Sequence, residues 1–224
     1  MKKLPRALPK DMHVSSKKIL DFINAIEENQ LGLHSFMLTR KGTVIAEGYW
    51  NPYNEDSTHM LFSLSKSFTS TAIGFAVQEG LLHLSDRVIS FFPDRLPCAP
   101  CENMQKMEIR HLINMCTGHD IEPPLLGEDR VYQFLTSYVA LEPGSRFLYN
   151  TPATYMLSAI LQTVTGQTVF EYLQPRLFGP LGIENIWWES CPKGINAGGF
   201  GLNLKTEDIA KFSVFLLQKG IYRR

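Results

Sequence analysis

The stretch LFSLSKSFTS, Leu61–Ser70, sets one lysine among apolar and hydroxyl side chains. From Met60 to Gln78, Lys66 is the only ionisable side chain. Phe68, Ala72, Ile73, Phe75, Ala76 and Val77 follow at spacings that predict an apolar helix over 64–79. A lysine in such a helix is costly unless it is paired or has chemistry to perform. Ser63 stands three residues earlier. Three helical residues advance about 300° and rise about 4.5 Å, so the two side chains share a face. An uncharged lysine amine beside a serine hydroxyl can take its proton and create a nucleophile, and desolvation drives lysine toward that neutral form.

The S-x-x-K spacing occurs three times, at Ser15–Lys18, Ser63–Lys66 and Ser190–Lys193. Ser15 reads as the N-cap of a surface helix carrying Lys17 and Lys18. Ser190 is followed by Cys191-Pro192, which argues against a continuing helix that would fix the pair. Only Ser63 opens a long apolar helix. On these residues alone a second reading stands beside the first, with Ser63 as an N-cap and Lys66 snorkelling to solvent.

Upstream, Ile19, Leu20, Phe22, Ile23 and Ile26 line one face of a helix within 16–28. The runs HSFMLTR and TVIAEGYW then flank Lys41-Gly42 as a β-hairpin. Downstream the pattern is helical, near 108–115, 130–139, 152–165, 168–178 and 206–219, with Pro and Gly clusters between. Nothing after Trp50 reads as a further strand of the same sheet, and a lone hairpin is marginal in water. Strands of the sheet are therefore expected to be missing.

The 224 residues carry 22 Lys and Arg against 22 Asp and Glu. That balance gives no electrostatic reason to expect nucleic acid or an anionic membrane as partner. The hydroxyl-rich window at 60–78 argues against a membrane span, and the basic N-terminus develops no apolar core of a signal peptide. The expected location is cytoplasmic unless an export signal has been removed. Cys98 and Cys101 form a C-x-x-C pair, but Cys116 and Cys191 are isolated and no histidine pair has ligand spacing. Reduced thiols, no metal and no cofactor are expected.

Four ordered blocks resemble the serine β-lactamase and penicillin-binding-protein family, nearest its class C-type branch. They are LFSLSKSFTSTAIGFAVQEGLLHLSDRV, IRHLINMCTGHD, EPGSRFLYNTPATYMLSAILQTVTG and AGGFGLNLKTEDIAKF. The resemblance runs from about Gly32 to the C-terminus. It implies a β-lactamase/transpeptidase-like α/β (α+β) two-layer domain with an inserted, mostly helical domain. The α/β part would take 1–66, the helical domain 67–197, and the return to the α/β part 198–224. Carried over, Ser63 is the nucleophile, Lys66 helps to remove its proton, and Tyr149 relays a proton to the leaving group. Thr151 stands where relatives place Asn or Ser, and a substrate-binding role follows from that position. Thr151-Pro152 also reads as an N-cap followed by Pro at N1. Tyr149 also reads as an aromatic packed under the Pro143-Gly144 turn.

The family's third motif, H-x-G or K-x-G on a late strand, does not occur. Lys205-Thr206-Glu207 lacks the glycine and starts a helix, with Thr206 as its expected cap. The resemblance therefore implies a chain truncated at its C-terminus, with an incomplete sheet and a site short of one wall and one oxyanion donor. Weak turnover is expected, with slow acylation of Ser63. The implied reaction is acylation of Ser63 by a β-lactam, a D-Ala-D-Ala peptide or a small ester. The alternative is a non-catalytic binding or scaffold protein that kept the fold. An exposed sheet edge could also pair with another copy.

Overall fold

The computed structural model describes residues 3–96 and 100–221, so Cys98 of the C-x-x-C pair lies outside the described residues. A 3-10 turn at Pro9–Met12 leads to α1, Ser16–Glu28, capped by the Ser15 side chain as expected. The hairpin follows as β1, Ser35–Arg40, and β2, Thr43–Tyr49. Strand β3, Thr58–Met60, runs into a 3-10 turn at Phe62–Leu64 and then α2, Ser65–Gln78. After two short 3-10 turns come α3, Glu102–Lys106, α4, Ile109–Ile113, and α5, Arg130–Leu135. Helix α6, Thr151–Thr165, is followed by α7, Val169–Leu173, a π-helical turn at Gln174–Phe178 and α8, Gly179–Leu181. Two short strands, β4 at Trp187–Trp188 and β5 at Leu202–Lys205, precede α9, Thr206–Leu217. Among the described residues, no helix is long and apolar enough to cross a membrane.

Among the described residues the hairpin's sheet gains no further strand, but three short strands after Trp50, unread in the sequence, make a second sheet. β3, β5 and β4 form a small sheet in that order, separate from the two-stranded β1-β2 sheet. Each holds four residues or fewer, too short for an alternating pattern to emerge from the sequence.

The chain packs as two compact units. The first comprises Met1–His59, Leu177–Ile186 and Asn203–Arg224. Its hairpin turns on two residues, Lys41 at φ 51° and Gly42 at φ 77°. Positive φ at both positions is what a two-residue turn matching the strand twist demands. Leu4, Val44, Ala210 and Val214 bury a small core with Met37 against it, so α9 covers the hairpin. Arg6 ties Glu207 to Glu47 at 2.5 and 3.1 Å. Lys211 and Asp208 are fully buried and paired at 3.3 Å, and the Lys211 ammonium also donates to the Gly182 carbonyl at 3.0 Å. Burial holds the Asp208 carboxyl above its ordinary value despite that partner.

The second unit comprises Met60–Arg176 and Trp187–Leu202. Its centre is α6, in which every residue from Pro152 to Leu161 is buried. Phe68, Ala72, Ile73 and Ala76 of α2 are buried in the same core. The expected cap of α6 is displaced by one residue. Asn150, not Thr151, accepts the Ala153 N–H at 2.9 Å, and Pro152 takes the second helical position. A polar chain supports that cap. The Asn150 amide donates to Thr117 Oγ1 at 3.1 Å, which lies 2.8 Å from His119 Nδ1, and His119 Nε2 reaches Ser137 Oγ at 2.7 Å. His119 is buried, and burial pushes its imidazole down to about 4. The cap expected at the last helix shifts too. Lys205 occupies the position before α9 without a side-chain cap, and Thr206 Oγ1 instead meets Ser35 Oγ at 2.7 Å.

Candidate active site

Ser63 does not begin the α-helix itself. It lies in the 3-10 turn just before α2, directly after Phe62, whose φ is +44°. A bulky residue in the left-handed region stores strain, of order 1–3 kcal/mol, and such strain collects where a side chain must be aimed. The result is an exposed Ser63 with Lys66 half-buried beneath it.

The structure brings Ser63, Lys66, Tyr149 and Thr151 together within the second unit. The Tyr149 hydroxyl donates to Ser63 Oγ at 2.7 Å, and the Lys66 ammonium approaches the same oxygen at 3.3 Å. Lys66 Nζ also donates to the Gly199 carbonyl at 2.8 Å and lies 3.5 Å from Thr151 Oγ1. It sits 4.9 Å from the centre of the Tyr149 ring, within cation–π range. The packing role considered for Tyr149 under the Pro143-Gly144 turn is not what the structure shows. Its ring is 45% exposed, and His111 lies against Gly144.

The lysine left without a partner by the sequence is therefore held by three oxygens, none of them a carboxylate. Tyr149 titrates below the ordinary phenol value. Burial pushes it up, and the Ser63 hydrogen bond with the Lys66 ammonium outweighs that push. The other two S-x-x-K pairs take no part. Ser15 caps α1, and Lys193 pairs with Asp129 at 2.6 Å.

The Gly198-Gly199 pair explains how the wall beside Lys66 forms. Gly198 has φ +67°, and a Cβ there would stand 2.1 Å from Ser158 Oγ. A Cβ on Gly199 would stand 2.6 Å from Thr151 Cγ2 and 3.2 Å from Lys66 Nζ. Only a backbone without side chains can pass this close to α6 and still offer its carbonyl to the lysine. Thr69 Oγ1 fixes the neighbouring Gly198 carbonyl at 2.9 Å, and Leu202 meets Ser65 Oγ and Leu61 through its backbone.

Sequence reasoning missed Glu122. Its carboxylate accepts the backbone N–H of Thr151 at 2.7 Å, across 29 residues of chain. Nothing local in the sequence around Pro123-Pro124 marks it.

The Beta-lactamase family matches residues 25–218. A 6-aminohexanoate-dimer hydrolase of Paenarthrobacter ureafaciens is 23% identical over 206 residues, covering 84% of this chain and 52% of that protein. A D-aminopeptidase of Brucella anthropi is 24% identical over 180 residues, covering 73% of this chain and 34% of that one. Among solved structures, "Putative 6-aminohexanoate-dimer hydrolase from Bacillus anthracis" superposes with a TM-score of 0.75 at 24% identity, over 90% of this chain and 57% of that chain. The fold is thereby that of the β-lactamase/transpeptidase-like group. The chain spans between 34% and 57% of the length of these proteins.

Proposed function

The chain belongs to the Beta-lactamase family, and from that membership we propose that it is a serine hydrolase acylated at Ser63 by an amide, peptide or ester. The observation that carries this reading is the single oxygen of Ser63 flanked by Tyr149 at 2.7 Å and Lys66 at 3.3 Å. A general base must lie within hydrogen-bond reach of the proton it takes, and both groups do. Tyr149 is the nearer, and its lowered phenol value suits it to accept the Ser63 proton. Lys66, anchored on Gly199, stabilises the Tyr149 phenolate that takes the Ser63 proton, and the phenol so formed passes that proton to the leaving group. Thr151 keeps Lys66 aimed and faces the bound substrate. The Ser63 backbone N–H serves as one oxyanion donor.

The sequence holds no H-x-G or K-x-G segment to supply the second donor. Losing one such donor costs about 10²–10³-fold in rate. Incubation with excess fluorophosphonate or fluorescent penicillin, followed by peptide mass spectrometry, tests the reading. The expected result is an adduct on Ser63 that is absent from Ser63→Ala. An adduct elsewhere, or none after prolonged incubation, would refute it.

A second reading is a non-catalytic binding protein on the same fold. In that case Ser63→Ala leaves its behaviour untouched. Self-association belongs to either reading. Val14, Ile19, Phe22, Phe36 and Leu38 line an apolar groove of about 410 Å³ between α1 and β1. β1 pairs only with β2. An open edge beside an apolar groove is a template for strand pairing. Sedimentation across a hundredfold concentration range should show dimer, and a constant monomer would remove the proposal.

A further inference from the structure

Among the described residues, Glu122 is the one carboxylate bonded to the residues of the Ser63 site, and it is held there by a helix end. Thr151 is the first residue of the 15-residue α6, so its N–H is one of the donors left without an intrahelical partner. Glu122 Oε1 takes that N–H at 2.7 Å. A negative charge at this position is also favoured by the helix dipole. The same Thr151 offers its hydroxyl to Lys66, and Tyr149 two residues earlier touches Ser63. The Glu122 charge reaches the Tyr149 hydroxyl, where it opposes the lowering by Lys66. Among the described residues, no other carboxylate bonds or pairs with Ser63, Lys66, Tyr149 or Thr151.

Capping consumes only one carboxylate oxygen. Among the described residues, Glu122 Oε2 makes no hydrogen bond or ion pair, and the side chain is exposed to incoming ligand. A charge fixed beside a nucleophile acts on the charge of whatever docks there. We infer that Glu122 sets substrate preference, favouring acyl donors that carry an ammonium group over neutral ones and rejecting carboxylates. The inference rests on Ser63 being the nucleophile.

The test uses two nitrophenyl esters of equal chain length, one ending in trimethylammonium and the other in the isosteric tert-butyl group. Their ratio of Ser63 acylation rates is measured by stopped-flow release of nitrophenol in wild type, Glu122→Gln, Glu122→Asp and Glu122→Lys. Glutamine keeps an acceptor for the Thr151 N–H while removing the charge, so the cap survives the change. A ratio within one variant also cancels any general loss of activity. Wild type should prefer the cationic ester by about two- to fivefold, the scale of an exposed ion pair. That preference should persist in Glu122→Asp, vanish in Glu122→Gln and invert in Glu122→Lys. It should also shrink as salt rises, which a purely structural role would not produce. Equal ratios in all four proteins, with Ser63 acylated in each, overturn this inference alone. No acylation of Ser63 in any of them overturns the nucleophile assignment and this inference with it.

Discussion

Lys66 Nζ lies closer to the carbonyl of Gly199, at 2.8 Å, than to the hydroxyl of Ser63, at 3.3 Å. The lysine is thus aimed by the glycine wall, and the wall's lack of side chains is a requirement for the chemistry proposed at Ser63. Gly199→Ala places a methyl against Thr151 Cγ2 at 2.6 Å and Lys66 Nζ at 3.2 Å. A displacement of about 1 Å in a catalytic group costs about 10²-fold. Ser63 labelling should therefore slow by 10- to 100-fold. Adding Thr151→Ser removes the nearer clash and should restore part of the rate. No recovery in the double variant would mean that the wall acts in another way.

Tyr149 offers a second measurement. If the Tyr149 phenolate accepts the Ser63 proton, the labelling rate rises with pH as that phenolate forms, and its lowered titration brings that rise below the ordinary phenol range. Tyr149→Phe should lose about 10²–10⁴-fold in rate and flatten this limb. A variant that keeps the wild-type pH profile would transfer the base role to Lys66 alone.

Acid stability depends on His119. Its folded value of about 4 lies below the ordinary 6.5, so the native state binds fewer protons than the unfolded chain between those limits. The stabilisation is complete above about pH 6.5, declines as pH falls and is exhausted near pH 4. At 1.36 kcal/mol per unit, the loss across this window is about 3 kcal/mol. Urea unfolding of wild type and His119→Asn from pH 7 to 4 should converge by that amount. Parallel pH curves for the two proteins would count against it.

The Lys211–Asp208 pair provides a stability test away from the site. Lys211→Met strands a buried carboxyl, and removing one partner of a buried pair costs about 3–5 kcal/mol. Asp208→Asn with Lys211→Met should recover much of that loss in denaturant titrations, because no charge then remains buried. A double variant as weak as the single would show that the Gly182 contact matters more than the charge.

The sequence made the long elements readable, for identifiable reasons. Ile19, Phe22 and Ile26 recur at helical spacing. Lys41-Gly42 announces its turn. The apolar run after Lys66 forces a buried helix. The three short strands were illegible because none is long enough to show an alternating face. The α6 cap was misplaced by one residue because Asn150 and Thr151 are both competent caps, and the choice depends on Thr117 lying below the asparagine. Ser63, Lys66 and Tyr149 were found through spacing and resemblance. Glu122 was invisible, since its contact with Thr151 spans 29 residues and leaves no local pattern.

Helix α6 is enclosed on every side from Pro152 to Leu161. A segment with no solvent-facing stripe has no cheap local opening, so its amide hydrogens should exchange only when the whole second unit opens. Thr151, which aims the lysine, immediately precedes that segment. The rigidity of the acylation site is then inherited from the cooperative unfolding of the unit around it, and warming toward the melting transition should blunt reactivity and amide protection together.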